Sequence, residues 1–123
     1  MRARPYGLGR EKILRKTDEF SSVFRFRAVL RGQCVDVHVG PNALGHARLG
    51  LIVSRKVVPL ATRRNRYKRL MREAFRLQQH ALGGLDLVAR IKAACADAQF
   101  REEFARLLRD CPGLVRRGSR PIP

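Results

Sequence analysis

Residues 61–76, ATRRNRYKRLMREAFR, carry seven basic side chains and one acid in sixteen positions, yet keep the periodicity of a helix that docks on a core. At about 100° per residue, Tyr67, Leu70, Met71, Ala74 and Phe75 fall on one arc, the spacing of an amphipathic helix. Arg64, Lys68, Arg72 and Arg76 recur every fourth residue and line an adjacent face, with Asn65 and Arg69 beside them. Glu73 is spaced to screen Arg66 or Arg69, and nothing screens the rest. Solvated helix faces usually mix signs. A face of one sign points to a polyanion, RNA or DNA.

The rest of the chain agrees. Its 27 Lys and Arg against 10 Asp and Glu leave a formal charge of +17 on 123 residues. Self-repulsion on that scale destabilises a compact fold unless an anionic partner relieves it. An apolar content of 45% argues against a disordered basic arm, and the length suits one domain with a modest core. Arginine far outnumbers lysine, which suits forked contacts to phosphate and stacking on bases, although a GC-rich genome gives the same bias. Cys34, Cys95 and Cys111 are odd in number and widely spaced, so neither a zinc site nor a disulfide framework follows. A reducing cytoplasm is the simplest compartment. The first residues, MRARPYGLGREK, lack the apolar core of a signal peptide, and no stretch approaches the roughly 18 apolar residues of a membrane span. A soluble, cytoplasmic protein with no membrane partner is expected.

Residues 1–12 and 112–123 are rich in Arg, Gly and Pro without periodicity and read as basic tails around a single domain, residues 13–111. Thr17 or Asp18 is placed to cap a first helix whose apolar face holds Phe20, Val23 and Phe24. Residues 33–39, QCVDVHV, alternate strictly, with Val35, Val37 and Val39 on one face and Cys34, Asp36 and His38 on the other. After a turn at Pro41, Asn42 and Gly45, residues 48–54 make a second strand, and the two are expected to form a hairpin. A further strand around Val29 and Leu30 is left open. The basic helix follows, fading by Leu82 before Gly83 and Gly84. Residues 85–91 form a third strand. Asp97 caps a last helix with Phe100, Phe104, Leu107 and Leu108 on one face, stopped by Pro112 and Gly113. The order α-β-β-(β)-α-β-α predicts an α+β chain, a two-layer α/β sandwich with a mixed sheet packed on helices. The strands flanking the basic helix form a β-α-β crossover and would lie parallel.

No catalytic constellation is visible. His38, His46 and His80 are scattered, no HExxH, GxSxG or GxxxxGK[ST] occurs, and the acids sit at helix starts or among arginines. Phe20 and Phe24, one helical turn apart, would border a groove with His38 if the first helix packs over that strand face, and such a groove stacks unpaired bases. On spacing alone, core packing explains both phenylalanines more simply.

The segments RLGLIVSRKV (48–57) and ATRRNRYKRLMREAFR (61–76) closely resemble the signature of the bacterial ribonuclease P protein family, an RNR-containing basic helix preceded by an LGLxVSKKV strand. KTDEFSSVF (16–24) looks like the family's xxEFxxVF helix, and GLDLVAR (84–90) is similar to its G-x-D-hydrophobic strand. The match runs from about Leu14 to Leu108. The resemblance implies an α/β sandwich with a left-handed β-α-β crossover. It also implies a partner, the catalytic RNA of ribonuclease P, and a substrate, precursor tRNA, whose single-stranded 5′ leader the protein holds. The RNA, with Mg²⁺ bound mainly by the RNA, would cut the phosphodiester, so the protein needs no catalytic residue. Carried over by position, Arg64, Asn65, Arg66, Lys68, Arg69 and Arg72, with Arg63 as an added charge, would face that RNA, and Ser54, Arg55 and Lys56 match the strand end leading into the helix. Phe20 and Phe24 become leader-groove candidates, as does His38, where the family often has Tyr. Ile52, Arg55 and the VPLATR stretch (58–63), with Pro59, depart from the pattern. A generic RNA- or DNA-binding module is the competing reading. An independent nuclease is disfavoured by the lack of an acid cluster for Mg²⁺.

Overall fold

The computed structural model describes residues 9–117; the outer parts of the two tails, 1–8 and 118–123, lie outside the described residues. A single turn of 3-10 helix at Arg10–Lys12 precedes α1 (Thr17–Phe26), β1 (Ala28–Arg31), β2 (Val35–Pro41) and β3 (Arg48–Ile52). Then come α2 (Ala61–Gln78), a 3-10 extension (Gln79–Leu82), β4 (Leu85–Ile91) and α3 (Asp97–Arg117). The strands form one mixed sheet in the order β1-β2-β4-β3. Its alternation sorts the side chains as expected. Val35, Val37 and Val39 of β2 and Leu85, Leu87, Ala89 and Ile91 of β4 join the main core under α2 and α3. The opposite face carries a smaller core of Leu14, Val23 and Val88 beneath α1.

The hairpin expected between residues 33–39 and 48–54 is absent. β2 pairs antiparallel with β1 on one side and with β4 on the other, and β3 pairs only with β4, in parallel. Burial explains the order. Every residue of β4 except Arg90 is buried, and a strand covered on both faces belongs in the middle of a sheet. β3 takes the edge, where Leu14 N–H donates to Leu49 O at 2.9 Å and Ile13 bridges Leu49, shielding part of the exposed backbone. The segment around Val29 and Leu30 is therefore a strand, β1. The β3-α2-β4 crossover has the parallel strands read from sequence.

Three local expectations also change. Neither Thr17 nor Asp18 caps α1; the Glu19 carboxylate does so from inside the first turn, accepting from Arg15 N–H and Lys16 N–H, both at 3.0 Å. α3 does not stop at Pro112 and Gly113 but continues to Arg117. Proline removes one helical hydrogen bond, whereas ending there would strand Leu114 and Val115, which pack on the core beyond the fully buried Cys111. Residues 112–117 thus belong to the last helix rather than a tail. Finally, Cys34 lies before β2, not on its outer face, and forms a disulfide with Cys95 across a sequence separation of 61, with Cα atoms 6.2 Å apart. Spacing could not reveal that pair, because only the packing of α3 against the β1–β2 turn brings it together. Glu103 of α3 completes this junction, its buried carboxylate accepting from Gln33 N–H at 2.7 Å and Cys34 N–H at 2.8 Å. Among the described residues, no helix is long and apolar enough to cross a membrane.

Candidate nucleic-acid interface

α2 turns Tyr67, Met71, Ala74 and Phe75 into the core and leaves its basic side chains outside. Its start is set by the turn after β3. Val57 N–H donates to Ser54 Oγ at 3.2 Å and Val58 N–H to Ser54 O at 3.0 Å. Arg64 then reaches back, its Nη1 donating to Val58 O at 2.9 Å and Pro59 O at 2.8 Å. Pro59 is accommodated because this guanidinium satisfies the carbonyls of the handover, where proline supplies no N–H. Arg63 lies over the Tyr67 ring, 5.4 Å from its centroid.

Arg66 is held in an ion pair by Asp97, the first residue of α3. Glu73 pairs with Arg76 at 2.6 Å, not with Arg66 or Arg69 as the spacing also allowed. Ser54, Arg55, Lys56, Asn65, Arg69 and Arg72 are exposed, and Arg55, Lys56, Arg69 and Arg72 have no acidic partner among the described residues. Half-buried Lys68 and exposed Arg72 line one wall of a cleft of about 170 Å³ whose other walls are Ile13, Leu14, Phe20, Leu49 and Leu51. That cleft is where the basic helix and the aromatic face meet, around the free edge of β3.

On the α1 side, Phe24 is 38% exposed and meets His38 edge to face at 4.8 Å. Phe20 lies over Gly50, where an added Cβ would come within 2.6 Å of its Cζ, so the glycine makes room for the ring. His38 is half-buried, and burial pushes its imidazole pKa down, partly opposed by the Asp36 carboxylate. The strand register sets Arg31, Asp36 and Arg90 side by side next to the row of Val29, His38 and Val88. Asp36 is engaged by Lys92 at 2.9 Å and Arg31 at 3.6 Å, while Arg90 stays exposed. Arg31, Arg90 and Lys92 were not singled out from sequence. Alternation puts Arg90 on the face of Val88, but only the β2–β4 register puts it beside His38.

α1 is anchored at this face by a part-buried network around the buried Asp86. Arg48 donates Nε–H to Asp86 Oδ1 at 2.8 Å and Nη2–H to Asp86 Oδ2 at 2.6 Å, and its Nη1 donates to Glu19 Oε2 at 3.0 Å. Asn42 adds a bond from its amide to Asp86 Oδ1 at 2.7 Å.

A small mixed sheet with one-signed arginines on one helix and an aromatic, partly open face beside it defines an RNA-binding α+β protein. The family model described as Ribonuclease P matches residues 8–114. The ribonuclease P protein component of Chromobacterium violaceum is 46% identical over 102 residues, covering 83% of this chain and 84% of that protein. The RNase P protein from Thermotoga maritima superposes with a TM-score of 0.67 at 30% identity, covering 77% of this chain and 93% of that one. A mutant Staphylococcus aureus RNase P protein superposes with a TM-score of 0.74 over 80% and 86% of the two chains; at 22% identity that likeness speaks to the fold alone. The chain belongs to the ribonuclease P protein family, the protein subunit of the endoribonuclease that matures tRNA 5′ ends.

Proposed function

We propose that the α2 face binds the catalytic RNA and that the groove between α1 and the sheet holds the single-stranded 5′ leader of precursor tRNA. Arg55, Lys56, Arg69 and Arg72 supply unpaired cations for RNA phosphates. Ser54, Arg63, Arg64, Asn65, Arg66 and Lys68 shape and complete that surface. Phe20, Phe24 and His38 stack leader bases, with Arg31 and Arg90 as a basic rim for the leader backbone. The observation that carries this reading is the cleft in which Phe20 meets Lys68 and Arg72. A nucleic acid strand leaving the groove would pass directly onto the basic helix, so one protein can hold the substrate's leader next to the RNA that cuts it.

Hydrolysis is assigned to the RNA with Mg²⁺. The described residues fit no Mg²⁺ site of their own: no three acids, His or Cys gather, and Asp36, Asp86, Asp97 and Glu19 are committed to Lys92, Arg48 and Arg66. Residues 13–111, extended by the end of α3, act as one RNA-binding domain, in the cytoplasm where precursor tRNA is made.

The test is cleavage of precursor tRNA by the catalytic RNA at low Mg²⁺, with and without this chain. The protein is expected to raise cleavage with the RNA and to cut nothing alone. Cleavage by the protein alone, or no stimulation of the RNA, would overturn the assignment.

A further inference from the structure

The segment joining β4 to α3 touches two consecutive residues of the RNR helix, Arg66 and Tyr67, by separate interactions. The Tyr67 hydroxyl donates to Cys95 O at 2.8 Å and accepts from Cys95 N–H at 2.9 Å, and its ring meets Phe100 edge to face at 4.9 Å. Cys95 also joins Cys34, before β2, through a disulfide that a reducing cytoplasm would open, so its backbone bonds to Tyr67 carry the anchoring. Two residues on, Asp97 Oδ2 takes the Nε and Nη2 edge of the Arg66 guanidinium. The Arg66 side chain nonetheless remains 50% exposed, and the Asp97 side chain 26%. A guanidinium carries five N–H donors in a rigid fork, so a carboxylate on one edge leaves the Nη1 end free.

We propose that Asp97 is a positioning residue: it locks the Arg66 guanidinium on a foundation that Cys95 and Tyr67 hold fixed, so that the free edge meets a phosphate of the catalytic RNA. The proposal rests on the reading of α2 as the RNA-binding face. An arginine ordered before it meets RNA loses less conformational freedom on binding. The bare electrostatic alternative has the opposite sign. An acid beside a phosphate-binding helix should repel RNA, and its removal should tighten binding.

The experiment measures affinity of the full chain for the catalytic RNA across a salt series, with thermal melting as a fold control. The variants are Asp97→Asn, Asp97→Glu, Arg66→Ala and the Asp97→Asn/Arg66→Ala pair. Asparagine keeps a side-chain acceptor at the start of α3 while removing the charge. Asp97→Asn is expected to weaken binding about three- to tenfold although net positive charge rises by one, to leave heparin binding undiminished, and to have no effect once Arg66 is alanine. Asp97→Glu is expected to recover part of the loss. Tighter binding on Asp97→Asn, or an equal loss with and without Arg66, overturns the proposal. Unchanged affinity on Arg66→Ala also overturns it, and if Arg69→Ala and Arg72→Ala are silent too, the RNA-binding reading of α2 falls with it.

Discussion

Arg48 and Asp86 face each other across the parallel β3–β4 pair and join through two hydrogen bonds, Nε to Oδ1 at 2.8 Å and Nη2 to Oδ2 at 2.6 Å. The aspartate of the Gly-x-Asp strand is therefore an anchor, and the hydrogen bond between Arg48 and Glu19 extends it to α1, one wall of the groove proposed for the leader. Asp86 raises the Arg48 pKa, consistent with a guanidinium held in its charged form. Replacing Asp86 by alanine would leave Arg48 without its principal partner in a largely buried site. The expected cost is about 3–5 kcal/mol, read from urea unfolding, whereas Arg69→Ala on the open face should cost under about 0.5 kcal/mol.

Phe24 is exposed where a core phenylalanine would not be, and its ring is oriented by His38. Phe24→Ala is expected to weaken binding of precursor tRNA to the holoenzyme by about 1–3 kcal/mol and to leave mature tRNA unaffected. Equal losses for the two substrates would instead mark a damaged fold.

The arginines of α2 should not be equivalent. Arg69 and Arg72 have no acidic partner among the described residues, so alanine at either is expected to reduce the salt dependence of RNA affinity by about one phosphate equivalent. Arg64 spends its guanidinium on Val58 O and Pro59 O, so Arg64→Ala should lower the melting temperature and change the salt slope less. Equal slopes for all three variants would refute this division.

Burial lowers the His38 pKa below its ordinary 6.5 in the folded protein, so folding disfavours the protonated ring. The associated stability is fully present above pH 6.5 and is lost as the pH falls from there through the lowered value. His38→Tyr removes that titration. The variant is expected to lose less stability than the parent chain between pH 7 and pH 5, as measured by chemical denaturation at each pH.

Joining Cys34 to Cys95 closes a loop of 61 residues, and reduction is expected to cost about 2–4 kcal/mol of stability. Cys111 is buried, and burial pushes its thiol pKa up to about 12. A thiol reagent should find no reactive cysteine in the folded, oxidised protein, one after unfolding without reductant, and three after reduction. A reactive thiol in the folded, oxidised state would show that Cys111 is accessible.

Elements whose signal is local were legible in the chain. The buried stripe of α2, the residues of β4 and the inward valines of β2 follow from helix and strand periodicity, and the structure keeps them. Expectations failed where a local signal competed with packing. Pro112 reads as a stop, but Leu114 and Val115 still have a core to cover. Two alternating strands read as a hairpin, but the more buried β4 takes the place between them.

The sequence by itself determined the class of protein: an α+β fold, an arginine-rich amphipathic helix inside the RNR pattern, and two phenylalanines one turn apart. Those are properties of charge, periodicity and order along the chain. Only the tertiary structure decided how each charge is used. It gave Arg64 to the backbone, Arg66 to Asp97 and Arg76 to Glu73, left Arg69 and Arg72 without an acidic partner among the described residues, and brought Arg90 beside His38. Partnership depends on which residues meet across the sheet and between helices, and those distances are set by burying apolar surface, to which the order of charges along the chain is blind.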